Sequence, residues 1–222
     1  MAMRNRKETA WKKSRKFGDV YGGRVRPRLV DNVFNRCHSL DPPGPHDELP
    51  ICIVDNPSRD FMFPITVDEA VERLKQLPSE HATCITHLWL RRLRKKDYEA
   101  GDHPFACFIW GSGVRLIVLY PWPADLTLRY VGARKPTAKQ LRAFEPWCTD
   151  LVKREGQWCL NWTLEGLRGY YLDHLLLHEV GHHVDSLRRR YSHASAKQAE
   201  NFSDSYAVLW SQRLRGQRYD AT

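Results

Sequence analysis

Leu175–Asp185 reads LLLHEVGHHVD, and its two histidines four residues apart fall on an apolar stripe that must pack inside a fold. Leu164, Leu167, Tyr171, His174/Leu175, His178 and His182 recur at spacings of three and four. Leu172, Leu176, Val180, Val184 and Leu187 form a second stripe beside the first. A helix that is apolar around most of its circumference belongs at the centre of a domain. The imidazoles of His178 and His182 are therefore expected in the interior, where they need partners.

The spacing identifies a partner. Residues four apart on an α-helix differ by only about 40° in direction, so both rings lean toward one point. Glu179 sits about 100° from His178, off the ligand line but within reach of a solvent molecule held there. His178-Glu179-x-x-His182 is thus the pattern of a zinc site with an adjacent general base. A third histidine six residues beyond His182 is excluded, because Arg188 stands there. Glu200 follows His182 by 18 residues, far enough for the chain to turn back. Glu200, Asp204, Ala207 and Ser211 share a helix face with Ser203 beside it, and such small neighbours allow a close approach. We expect Glu200 as the third ligand. Asp204, one turn on, is expected to hydrogen-bond the outer nitrogen of a ligand histidine and fix its tautomer. Asp185, one turn past His182, is either a similar support or a helix-end contact, and His183 points off the ligand line.

With these residues in place the chain resembles the gluzincins, the thermolysin-like clan of zinc peptidases, in a compact form. Their HExxH is followed on a later helix by a ligand Glu in an ExxSD-like pattern, which Glu200-Asn-Phe-Ser203-Asp204 matches. The likeness covers roughly residues 164–210. It implies a zincin-like metallopeptidase in which His178, His182 and Glu200 hold Zn2+ and Glu179 is the base. It also implies an oxyanion-stabilising side chain, for which Tyr206, Tyr191, His193 and Arg213 are candidates.

Elsewhere the chain reads as an ordinary α+β domain. Thr66 opens a capped helix that Pro78 stops. Thr83–Leu90, Phe105–Trp110, Val114–Tyr120 and Asp125–Val131 read as strands, with Gly111-Ser112-Gly113 as a hairpin turn. Pro136 to about Glu155 reads as a helix ended by Gly156, and a last helix is expected from near Ser195 to about Gly216. The expected architecture is a small, mainly antiparallel sheet packed on the HExxH helix and the Glu-bearing helix after it. A peptide substrate is expected to lie in extended form along Val114–Tyr120 or Asp125–Val131.

Charge divides the 222 residues into an arm and a body. Residues 1–28 hold ten bases and two acids, nearly all of the formal net charge of +9. With the Pro-rich stretch Cys37–Pro50 they make residues 1–50 an arm, and residues 51–222 the metallopeptidase domain. The arm is either a solvated tail or a binder of nucleic acid or an anionic surface. That gives an alternative reading, a basic-armed nucleic-acid-binding protein with a structural or inactive zinc site. Zinc hydrolysis of a non-peptide bond is a third. No secretory signal or membrane span is read, and the six cysteines show no C-x-x-C pair. A cytoplasmic protein with free thiols is expected, an organelle transit peptide being the other reading of the leader.

Overall fold

The computed structural model describes residues 40, 43–99, 104–111, 113–130, 135–142, 144–188 and 195–219. The basic leader, most of the Pro-rich stretch, Tyr191 and His193 lie outside them. The chain divides into two compact units, Glu48–Phe108 with Leu116–Thr222, and the residues up to Asp47 with Ile109–Arg115. In the smaller unit Leu40 is buried, and the amide of Gly44 donates to the Asp47 carboxylate at 2.6 Å.

The larger unit begins with β1 (Ile51–Val54) and β2 (Phe61–Met62), followed by α1 (Val67–Lys75). Thr66 caps α1 as expected. Its hydroxyl accepts from the Glu69 amide, and the Glu69 carboxylate reaches back to the Thr66 amide at 2.8 Å. Next come α2 (Ser79–Ala82), β3 (His87–Leu90), α3 (Lys95–Glu99), β4 (Ala106–Gly111) and β5 (Val114–Leu119). After β6 (Trp122–Pro123) and β7 (Thr127–Arg129) follow α4 (Ala138–Arg142), β8 (Cys148–Arg154) and β9 (Gln157–Trp162).

The fold is mixed α and β with small sheets, but its largest sheet departs from the antiparallel expectation. Four strands lie in the order β1-β3-β5-β4, and β1–β3 and β3–β5 are parallel. A parallel pair needs a crossover, and α1 with α2 supplies it between β1 and β3. Leu116 to Leu119 are fully buried, as befits an inner strand covered on both faces. Strand β5 is therefore closed to an added peptide strand, contrary to the expectation for Val114–Tyr120. Among the described strands, β4 is the edge on that side. β7 is an edge of its own three-stranded antiparallel sheet, ordered β7-β9-β8.

The helix expected from Pro136 to Glu155 is also corrected. Among the described residues of that span only Ala138–Arg142 is helical, and Cys148–Arg154 is a strand. Glu155 and Gly156 both have positive φ, 49° and 81°, in a two-residue turn that pairs Arg154 with Gln157. Two left-handed residues in succession make the tight hairpin turn whose twist suits its strands, and the glycine takes that conformation without strain.

The last third is helical, as the stripes required. Thr163 caps α5 (Leu164–Tyr170), accepting from the Gly166 amide at 3.0 Å. The chain then passes through a π-helical turn, Tyr171–Leu175, into α6 (Leu176–Arg188). Finally α7 runs from Ala196 to Tyr219, through Gly216 rather than stopping there. Leu176, Leu177, Val180 and Val184 of α6 join Leu88, Leu90, Ile117 and Leu119 of the sheet in one core. Asp173, in the π turn, is held by two guanidiniums, Arg73 of α1 at 3.0 Å and Arg215 of α7 at 3.2 Å. No helix among the described residues is long and apolar enough to cross a membrane.

Candidate metal centre

Helix α6 presents His178 and His182 with their Nε2 atoms 3.0 Å apart. Helix α7 brings Glu200 to the same point, its two carboxylate oxygens 3.5 Å from His178 Nε2 and 3.6 Å from His182 Nε2. One donor atom from each residue falls within a 4.8 Å group. Zinc bonds of about 2.0–2.1 Å place tetrahedral ligand atoms about 3.3–3.4 Å apart; the two ring nitrogens stand at 3.0 Å, and each has a different Glu200 oxygen at 3.5 or 3.6 Å. The donor set fits a small divalent cation on chemical grounds too. At 3.0 Å one ring can donate its N–H to the other, and a divalent cation would take the place of that shared proton.

The approach of α7 depends on a glycine. A Cβ on Gly181 would lie 2.7 Å from the Cα of Ser203, and that contact holds the two ligand helices at backbone distance. Ser203 and Ala207 are fully buried at this crossing, and Ala199 nearly so. The small residues beside Glu200 thus serve the packing read from the sequence.

Asp204 sits where its spacing placed it, its carboxylate 3.0 Å from His178 Nδ1. That bond keeps the proton on Nδ1 and turns the Nε2 lone pair toward Glu200. Burial, with His178 close by, pushes His182 down to about 4, so its ring is neutral at pH 7 and its nitrogen can bind a metal. The charges of Asp185 and Asp204 oppose that shift. Asp185 is buried and acts on His182 through this field.

Glu179 is 6% exposed, and burial with the nearby Glu200 charge pushes its carboxyl up to about 8. The backbone amide of Phe108 in β4 donates to it and pulls the other way. No sequence pattern pointed to Phe108, because a main-chain donor carries no residue signature. The edge of the sheet therefore passes directly beside Glu179.

The remaining candidates are engaged elsewhere. The Tyr206 hydroxyl hydrogen-bonds His81 Nδ1 at 2.9 Å, and Tyr206 lies about 200° around α7 from Asp204. Arg213 stacks its guanidinium over Trp210 at 5.0 Å. His183 is fully buried, donating from Nε2 to the Thr83 carbonyl at 3.0 Å with its ring against Phe108. Tyr191 and His193 lie outside the described residues. Comparison with family models, with curated proteins and with solved structures finds no match to this chain, so its function is read from its own residues.

Proposed function

We propose that this protein is a zinc-dependent peptidase of the zincin type, with His178, His182 and Glu200 as metal ligands and Glu179 as general base. The observation that carries this reading is the convergence of two imidazoles and a carboxylate from separate helices beside a buried glutamate. Three protein ligands leave a four-coordinate ion open to solvent, whereas purely structural zinc sites close the fourth position with Cys or His. Bound there, zinc would supply Lewis acidity, acidifying a solvent molecule and polarising the carbonyl to be attacked.

The chain's own groups do the rest. Glu179 accepts the proton at its carboxylate and returns it to the leaving amine. Burial raises the Glu179 pKa in the metal-free protein, and a neighbouring cation would draw the value back toward neutrality or below, leaving the carboxylate free to accept. Asp204 holds His178 in the ligand tautomer. The β4 edge beside Glu179 offers main-chain groups to an extended peptide, in place of Val114–Tyr120, while β7 in the other expected segment, Asp125–Val131, is an edge of its own sheet.

The test is zinc stoichiometry and peptide turnover of the full chain beside Glu200→Ala and Glu179→Gln. Glu200→Ala should lose the metal. Glu179→Gln should keep it and lose turnover by at least about a hundredfold, the usual scale of a general base. A wild-type protein that binds no zinc, or a Glu179→Gln variant of undiminished activity, would refute the proposal.

A further inference from the structure

The π turn ahead of α6 decides which way the histidine pair points. Leu176 donates its amide to the Tyr171 carbonyl five residues back, so this one turn holds an extra residue. On an unbroken α-helix Leu176 would lie about 140° around from Tyr171, while His178 and His182 would lie within about 20° of it. Tyr171 is fully buried, and its direction is that of the core. The extra residue turns everything after it back by about 100°. Leu167 and Tyr171 therefore run on to Leu176, Val180 and Val184, all in the core, at steps of four, five, four and four. The two histidines leave that line and come to face Glu200 on α7 instead. The single stripe expected from the sequence, which carried Tyr171 on to His178 and His182, is broken at this turn.

An extra residue has no fixed address in a helix. It moves along by exchanging i→i+5 for i→i+4 hydrogen bonds, at no loss in their number. Lodged between His178 and His182 it would undo their alignment. Side chains of the turn itself hold it upstream. Asp173 gives one carboxylate oxygen to Arg73 of α1 at 3.0 Å and the other to Arg215 of α7 at 3.2 Å. The Tyr171 hydroxyl donates to the Tyr120 carbonyl, just past β5, at 2.6 Å. Asp173 and Arg73 are both buried, and desolvation consumes much of the attraction of a buried ion pair, whose better attested use is to fix register. Moving the extra residue past Asp173 would rotate that side chain by about 100° and break both of its ion pairs.

We infer that Asp173, helped by the Tyr171 hydroxyl, is a positioning residue of the metal centre: it pins the extra residue of the π turn ahead of His178, so that the histidine pair stays aligned and faces α7. This rests on the metal site proposed above and needs no peptidase activity. The test is metal binding by the full chain in the cold, well below the melting temperature, with each variant first shown to be folded by circular dichroism. Zinc affinity is read by competition with a chromophoric chelator. The geometry of the site is read from the visible absorption of Co2+ bound in place of zinc.

Asp173→Asn should lower zinc affinity by about tenfold or more, the scale on which lost ligand support is felt, and should weaken the cobalt bands. Tyr171→Phe, which removes only the hydroxyl, should have the same effect severalfold. Arg168→Met is the control, because Arg168 ties α5 to Glu69 and to the Pro64 carbonyl, at 3.1 Å, ahead of the turn. Its loss should lower the melting temperature while zinc affinity and cobalt spectrum stay as in wild type. Wild-type affinity and cobalt bands in a folded Asp173→Asn overturn the positioning role, and where that variant does not fold, the same result in Tyr171→Phe does so. An equal loss in Arg168→Met also overturns it, by tracing the effect to general destabilisation. A wild-type chain that takes up neither ion overturns the metal site itself, a failure of a different kind.

Discussion

Replacing Gly181 by alanine should perturb the candidate metal centre without touching a proposed ligand. The new Cβ would meet the Ser203 Cα at 2.7 Å, whereas ordinary contact begins at 3.4 Å. The obstacle is backbone, so no rotamer change relieves it, and α6 and α7 must part by about 0.7 Å or more. Glu200 lies three residues before Ser203, so its carboxylate recedes with the helix. Separations of 3.5 and 3.6 Å then open to about 4.2 Å, well beyond the tetrahedral edge. Overpacking of this kind costs about 1–3 kcal/mol, or about 2–12 °C in melting temperature for a domain of this size. Zinc affinity should fall by about ten- to a hundredfold, read by competition with a chromophoric chelator alongside a melt of the metal-free protein. Gly216→Ala is the control, because a Cβ there meets nothing within 4 Å, and helix propensity should leave it neutral or up to about 1 kcal/mol more stable. Wild-type zinc affinity and melting temperature in Gly181→Ala would refute the claim that backbone contact sets the ligand geometry.

Asp204→Ala frees the His178 tautomer and should weaken zinc binding by about ten- to a hundredfold in the same competition assay, with the metal-free melt nearly unchanged. Asp173→Ala leaves the buried Arg73 guanidinium without its carboxylate and should cost about 3–5 kcal/mol in denaturant unfolding, whereas a cost near zero would show the ion pair to be dispensable. Glu179 carries a pH signature in the metal-free protein. Its folded pKa of about 8 lies above the reference 4.5, so its relative stabilisation is complete below pH 4.5 and lost as pH rises through 8. The melting-temperature advantage of Glu179→Gln over wild type should therefore grow from pH 4.5 to pH 8.5, and a constant difference would contradict the burial assigned to this carboxyl.

What the sequence made legible was the chemistry that local spacing dictates. The reciprocal bonds of Thr66 and Glu69, the alignment of His178 with His182, and the pairing of Asp204 with His178 each follow from offsets of three or four along a helix. Glu200 was harder, since its place depends on how two helices cross, and the small residues at 203 and 207 were the available sign. What escaped was decided by distant pairing. Leu141, Phe144 and Trp147-Cys148 mimic helical spacing, yet Cys148–Arg154 gains its hydrogen bonds from β9 and becomes a strand. The parallel sheet was hidden because β1 precedes its helix and strand partnership leaves no local mark. The π turn at Tyr171–Leu175 and the Phe108 amide have no residue signature at all.

On the proposed reading, the bond from the Phe108 amide to Glu179 would couple the arrival of a peptide strand to the readiness of the carboxyl proposed as base. A strand that claims this N–H for its own carbonyl strips the carboxylate of a stabilising donor, and its affinity for protons rises at the moment a proton must be caught. On that reading the sheet margin would act as a latch whose release is set by occupancy.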